Sequence, residues 1–590
     1  MPDAPDAPAA RLEALADRYW QFLQHEFPLG ALLAGRPGDD TTLFREGPHD
    51  FARRATAAGA MLSDLSAIDA DALSSQDRIT HRLLQRELSD LREAHAVGSH
   101  LRPWLLPAGP EFNTVYFANA SQLTDGEAAR RYVERLRTLP AYFGDVQACL
   151  RQGLEQGVRH PRAVVQAALG NLQAALGAPA AHTAANSPWL GPFRRAPASL
   201  QPALQAEAAR AADVVEREVL PSLRAYAAFF ERELLPAARD TIACTEGPHG
   251  DSYYAFWVRH FTTLPLEPAQ IHELGLQQVA RLEQEIAEVA ARAGFAGGSE
   301  HAGAAGGSEH AGAAGDAAAY RRHLRDDPGF RAASAGELLV QVQALAKRID
   351  GLIPSVLGHL PRATYGVQSI PPAASAKLPL AYAQPSPADG SAPGIFWVSG
   401  LPERVPSYLH VSLALHEAWP GHLMHIALLQ EMDTLPMFRR ANFTRYTACL
   451  EGWAMYCEGL GEELGLYETP HQRFGRLDME MWRACRLVVD TGIHVRGWTR
   501  EQAVGYMAAR LSMAPEAIEA EVDRYIAMPA QALAYQLGGL KFRELRQRAQ
   551  SRLGDRFDMR AFHDQLMAAG AVTLPVLEEV VDAWLERHAA

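Results

Sequence analysis

The sequence predicts a mainly α-helical protein with a small β-sheet or hairpin placed just before a metal-binding helix. Three observations carry this expectation. Apolar residues recur at three- and four-residue spacing through most of the chain, the pattern of amphipathic helices. Runs that favour β-structure are confined to one Pro- and Gly-rich stretch, about 352–407. That stretch leads into Leu415-His416-Glu417-Ala418-Trp419-Pro420-Gly421-His422, where two imidazoles and a carboxylate stand close together in an apolar setting.

Taken in order, residues 11–26 form an amphipathic run that closes at Phe27-Pro28, because a residue before proline is biased away from helical angles. Residues 77–91 place Ile79, Leu83, Leu84, Leu88 and Leu91 on one helical face. Helices follow over 125–153 and 161–176, then a long tract over 203–237 that Pro221 should break. The run 267–292 begins with Pro268, which suits a first helical turn. Residues 297–314 are a direct duplication of GGSEHAGAA. Small residues without periodicity read as a flexible surface insertion, so His301 and His310 within it are expected to bind nothing. The insertion, 296–315, separates an N-terminal helical lobe, 1–295, from a C-terminal lobe, 316–590, that holds the metal site.

The β-favouring runs are 379–382, with Tyr382, and 394–398, with Trp397; Pro385, Pro387, Asp389-Gly390 and Pro393 supply turns between them. An edge strand here is positioned to pair with an extended peptide, which makes Tyr382 and Trp397 candidate substrate contacts. Beyond Tyr408 the chain is helical again: a run ending at Glu417, then 423–429, 446–460, 477–493, 502–510, 516–526, 529–550 and two closing helices after Asp558.

Composition excludes several classes. With 590 residues and 48% hydrophobic content there is ample chain for a large core or two lobes. A net charge of −13 gives no support to a nucleic-acid partner. Five cysteines without a C-x-x-C pair suggest neither a disulfide framework nor a thiolate zinc site, and Cys457 is read as a buried small hydrophobe. The opening MPDAPDAPAA carries acids in place of a positive leader region, and no run of about 18 apolar residues is present. A cytoplasmic protein without a membrane span is the expectation.

The chemistry concentrates at His416. In the H-E-x-x-H pattern two His one turn apart bind zinc and the intervening Glu is the general base. Here Pro420 occupies the second His position and the next imidazole is His422. At about 100° per residue, a residue six positions on points roughly 120° away, so an unbroken helix could not bring His416 and His422 to one ion. Pro420 donates no N–H and crowds the preceding turn, while Gly421 tolerates almost any backbone angle. Together they predict a bulge or kink of two extra residues that returns His422 to the face of His416. His425 is the competing second ligand; His422 is preferred because the Pro-Gly device accounts for its offset. A third ligand belongs on a later helix, where Glu451 lies among Leu450, Trp453, Ala454 and Met455. A carboxylate in that setting is costly unless paired or ligated. Glu458, two turns on, is read as bonding a ligating His from behind. Two other His-Glu pairs, His25-Glu26 and His272-Glu273, lack a nearby second His and are read as structural. Arg486, Asp490 and His494 share one helical face, which could bind a peptide carboxylate or donate to an oxyanion, and Tyr535 is a second oxyanion-donor candidate.

The set His416-Glu417-x-x-Pro420-Gly421-His422 with Glu451-Gly452-Trp453-Ala454-x-Tyr456 resembles the bacterial domain-of-unknown-function family eight-eight-five, which is grouped with the gluzincin zinc metallopeptidases. The likeness extends through Arg486-Leu487-Val488-Val489-Asp490-Thr491-Gly492-Ile493-His494 and Gln531-Ala532-Leu533-x-Tyr535. It implies a two-lobed helical fold with a deep cleft, His416, His422 and Glu451 as zinc ligands, and Glu417 as base. This sequence departs from the family at Leu423, where a second His is usual. The expected function is a zinc-dependent hydrolase, a carboxypeptidase- or dipeptidase-like enzyme cleaving short peptides. The alternatives are a catalytically silent helical binding protein, or a zinc hydrolase of non-peptide amides or esters.

Overall fold

The helix Ser75–Ala96 shows how directly periodicity becomes structure. Ser74 caps it, its Oγ accepting the Asp77 N–H at 3.1 Å, and Leu83, Leu84 and Leu88 are fully buried along one face. Such a cap contributes about 1 kcal/mol. The helix Pro8–Glu26 ends where Phe27-Pro28 requires, with the Phe27 N–H still donating to Leu23 O. The computed structural model describes residues 7–33, 41–107, 109–177, 186–295, 316–375, 378–387, 390, 392–441 and 443–589. The duplicated insertion, with His301 and His310, lies outside the described residues.

The tract expected to break at Pro221 instead stays helical. It runs as Gln201–Val214, a π-turn Val215–Val219, Leu220–Phe229, a second π-turn Phe230–Leu234, and Leu235–Ala237. Each wide turn comes just before a proline: the Leu220 N–H donates to Val215 O ahead of Pro221, and the Leu235 N–H to Phe230 O ahead of Pro236. A proline ring normally collides with the carbonyl four residues earlier. One extra residue in the turn moves that carbonyl aside, so the helix continues.

Contacts divide the chain into two compact units. One is Met1–Trp257 with Pro436–Asn442 and Asp523–Pro529; the other is Val258–Leu435, Phe443–Val522 and Ala530–Ala590. In the first unit the late segment is held by Phe438, whose ring meets Tyr19 edge-on at 5.5 Å, and by Arg439, which donates to Thr80 Oγ1 at 3.1 Å. The division falls at Val258 and not at the 296–315 insertion. The reason is the helix Pro268–Arg292, whose buried face packs along Pro470–Arg496 of the same unit. At their crossing, a Cβ on Gly275 would lie 2.8 Å from Leu487 Cβ, and His272 Nδ1 is 2.8 Å from Thr491 Oγ1. Among the described residues no helix is long and apolar enough to cross a membrane.

The second unit contains the sheet. β1 (Tyr365–Ile370), β2 (Ala381–Gln384) and β3 (Gly394–Ser399) are ordered β1-β3-β2, with β1 parallel and β2 antiparallel to β3. β2 and β3 are the two expected runs; β1 was not anticipated as a strand. Phe396 and Val398 are buried, while Trp397 faces the other way and pairs across the strands with Tyr382. Both β2 and β3 pack on the helix His422–Gln430, and β2 also on His410–Glu417. Beneath these helices lies Thr447–Glu463, joined to Leu533–Leu553 at a glycine contact. A Cβ on Gly452 would meet Gly538 C at 2.5 Å, and one on Gly538 would meet Ala448 O at 2.1 Å, so the two backbones touch.

Candidate metal centre

The sequence placed His416 and His422 around a bulge within one helix; the structure corrects this to two helices. His410–Glu417 ends at Ala418, the chain turns through a cis Trp419–Pro420 peptide, and His422–Gln430 begins anew with His422 in its first turn. Gly421 is required by close approach, since a Cβ there would lie 2.0 Å from His416 O and 2.4 Å from Leu415 O. The turn is fastened from below by Trp453, whose indole N–H donates to Pro420 O at 2.8 Å. The result matches the expected convergence: the His416 and His422 rings stand 4.7 Å apart and nearly perpendicular.

Glu451, in the second turn of Thr447–Glu463, completes the group. Its Oε2 is 3.4 Å from His416 Nε2 and 3.4 Å from His422 Nε2. Among the described residues, His416, His422 and Glu451 are the one set of His, Cys, Asp or Glu whose ligand atoms all fall within 4.8 Å of one another. Zinc bonds of about 2.1 Å in a tetrahedron put neighbouring ligand atoms about 3.4 Å apart, so the donor set and its spacing fit Zn2+ with one position left for water. Glu451 Oε2 is buried without a hydrogen-bond partner.

Glu458 stands behind His416 as expected, its Oε1 2.8 Å from Nδ1. With the Nδ1–H donated there, the Nε2 lone pair of a neutral His416 faces Glu451. Two electron-rich atoms so placed stabilise a cation between them. The same geometry acts on a proton: burial disfavours imidazolium, but the carboxylate of Glu451 facing Nε2 and that of Glu458, accepting from Nδ1, overcome it and push His416 up to about 9. Glu451 is raised by burial and lowered further by His422 and His416, and ends well below the usual carboxylate range.

Arg483 is the residue the sequence reading missed. It is buried on Pro470–Arg496, 3.2 Å from Glu458 Oε1, and donates to Met479 O at 2.9 Å. A second arginine three residues before Arg486, in the largely apolar run 479–489, was the available signal. The Glu458 backbone carbonyl accepts from Tyr467, whose hydroxyl also meets Ser412 Oγ at 3.1 Å. Replacing Glu458 with Gln should therefore weaken zinc binding by about 10–100-fold, the usual cost of losing such a supporting group. A competitive chelator titration reads this, and unchanged affinity would show that His416 is oriented by something else.

The remaining candidates are distributed as follows. His425 is fully buried near the Trp453 ring and stands outside the ligand set, and burial with repulsion from His422 pushes it down to about 3. Cys457 is likewise buried and outside the set. Glu417 is the half-buried last residue of its helix, next to His416. Arg486 is buried, pairs with Glu521 at 3.2 Å and lies between the rings of Trp482 and Tyr535, at 4.3 and 4.4 Å. Asp490 accepts the Ala530 N–H, holding a residue of positive φ at the start of the turn before Tyr535. His494 is fully buried in the last turn of Pro470–Arg496. Tyr382 and Trp397 stack at 6.1 Å on the sheet, with Trp397 Nε1 donating to Gln384.

Trp453 offers a separate check on the turn. Trp453→Phe removes the donor to Pro420, roughly 0.5–1.5 kcal/mol for one hydrogen bond, and the smaller ring leaves a cavity at this fully buried position that adds to the cost. Zinc affinity should fall several-fold while the helical circular dichroism is unchanged. Parent-like affinity would mean the turn holds itself.

Fold and site together define a mainly helical protein with a buried His-His-Glu cluster gathered from three helices of one unit. The chain belongs to the family described as bacterial protein of unknown function (DUF885), whose model matches residues 28–581. It is similar to a solved structure described as a "putative lipoprotein" from Colwellia psychrerythraea, at 27% identity and a TM-score of 0.88, covering 98% of this chain and 100% of that one. A second, a "putative lipoprotein of unknown function" from Shewanella oneidensis, shares the fold at 17% identity and a TM-score of 0.70, covering 97% and 99%. No curated protein matches the chain.

Proposed function

We propose that the protein is a zinc-dependent peptidase of gluzincin type acting on short peptides. One observation carries the reading: two imidazole nitrogens and a carboxylate oxygen converge at tetrahedral spacing beside Glu417. His416, His422 and Glu451 would hold Zn2+, which would supply a Lewis acid and lower the pKa of a water at the open position. Glu417 takes the proton from the attacking water onto a carboxylate oxygen as the water oxygen bonds to the carbonyl carbon. When the C–N bond breaks, Glu417 returns that proton to the leaving amine. His494 and Tyr535 are the proposed donors to the oxyanion formed on the former carbonyl oxygen. Arg486, its charge matched by Glu521, is assigned to holding the Tyr535 ring.

Substrate positioning is assigned to β2. It is an edge of the three-stranded sheet and packs on the helix that ends in Glu417, so an extended peptide paired to it runs beside the site. Tyr382 and Trp397 then meet substrate side chains.

The test combines metal analysis with a mixed-peptide digest read by mass spectrometry. About one zinc per chain and new cleavage products support the reading. Zinc without cleavage of peptides, amides or esters leaves the silent binding protein. The cytoplasmic location expected from the sequence stands against the description of both solved relatives as lipoproteins; cell fractionation assigns the compartment.

A further inference from the structure

The first unit contains a pocket that the peptidase reading does not use. It is small and open to solvent on one side, and Arg102, Arg159, Arg239, His160 and Tyr253 line it together with buried apolar side chains, among them Leu105, Val164 and Ile526. All of these residues belong to that unit. We propose that this pocket binds a small organic anion, a carboxylate or phosphate ester carrying an apolar body.

Charge is the first ground. Three guanidinium groups face one carboxylate, Glu246, which accepts the Thr241 hydroxyl and lies 3.9 Å from Arg239 Nη1. Neither Arg102 nor Arg159 forms an ion pair among the described residues. Burial pushes Arg102 and Arg239 below the ordinary guanidinium value, as expected of cations whose desolvation is incompletely offset. His160, its Nε2 3.3 Å from Pro103 O, is pushed down to about 4 by burial and adds no charge near neutrality.

Preorganisation is the second. Each arginine is tied along one edge to backbone carbonyls. Arg239 Nε donates to Arg159 O at 3.0 Å and its Nη1 to Thr241 O at 2.5 Å; Arg159 Nη1 donates to Leu154 O at 2.7 Å. Arg102 donates to Pro248 O and stacks on the Tyr253 ring at 4.6 Å. Anchored guanidiniums present a fixed set of remaining N–H donors, the arrangement that recognises a carboxylate or phosphate at little entropic cost. The apolar walls select an organic body over a bare inorganic ion.

The experiment titrates the full chain with benzoate, phenyl phosphate, inorganic phosphate and neutral benzyl alcohol, followed by calorimetry. Benzoate or phenyl phosphate should bind at least tenfold more tightly than benzyl alcohol and inorganic phosphate, and the tighter of the two names the head group. Arg102→Gln should weaken that binding tenfold or more. In the unmodified protein, the bound anion should protect Arg102, Arg159 and Arg239 together from phenylglyoxal, read by mass spectrometry; this arm needs no variant to fold. Binding that survives Arg102→Gln, including binding at the metal cluster, overturns the proposal. So does unprotected labelling of these arginines at saturating anion.

Discussion

Glu417→Gln is expected to lower peptide turnover by about 10²–10⁴-fold, the loss typical of removing a general base. Gln keeps the size and much of the hydrogen bonding of Glu but accepts no proton at neutral pH. Zinc should remain, because His416, His422 and Glu451 are untouched. The position supports the role: Glu417 is the last helical residue before the turn, so its neighbour His416 aims at the cluster while Glu417 stays half-buried beside it. If Glu417 were only a partner for a nearby cation, the change would cost about 1 kcal/mol or less of stability and leave turnover unaltered. A purified variant that binds zinc and cleaves peptide at the parent rate would refute the mechanism.

The second large effect belongs to Gly421. In Gly421→Ala the new Cβ must share space with two backbone carbonyl oxygens, at 2.0 and 2.4 Å, and neither can rotate away as a side-chain tip would. The turn has to shift, which carries His422 off the position 3.4 Å from Glu451. Zinc binding should fall at least as far as in His416→Ala or Glu451→Ala, by more than about 100-fold, the upper range for losing a supporting group alone. Helical content should survive, since both flanking helices keep their packing on Thr447–Glu463. Gly459→Ala is the matched control: nothing lies within 4 Å of a Cβ there, and a helix-interior Gly-to-Ala change should be neutral or stabilising by up to ~1 kcal/mol. Metal analysis of the two variants side by side settles it. Full zinc occupancy in Gly421→Ala would show the turn to be tolerant.

The helical class was legible because helix periodicity is local: the face of Ser75–Ala96 is written in Leu83, Leu84 and Leu88 themselves. That His416, His422 and Glu451 cluster was legible for a similar reason, since they are polar groups placed inside apolar runs, where burial without a partner is costly. Glu458 could be assigned on its helical spacing from Glu451. What the sequence left undetermined is non-local. Pro420-Gly421 allowed either a bulge or a break, and only packing, with Trp453 reaching Pro420 and no room for a Cβ at Gly421, selected two helices. Pro221 permitted a kink, yet a widened turn kept the helix running. Arg483 and Glu458 meet across two helices far apart in the chain, and no spacing rule links them. Segments 436–442 and 523–529 join the first unit for the same reason. Periodicity states which face of an element is apolar, and tertiary structure alone decides what that face, and any charge beside it, is buried against.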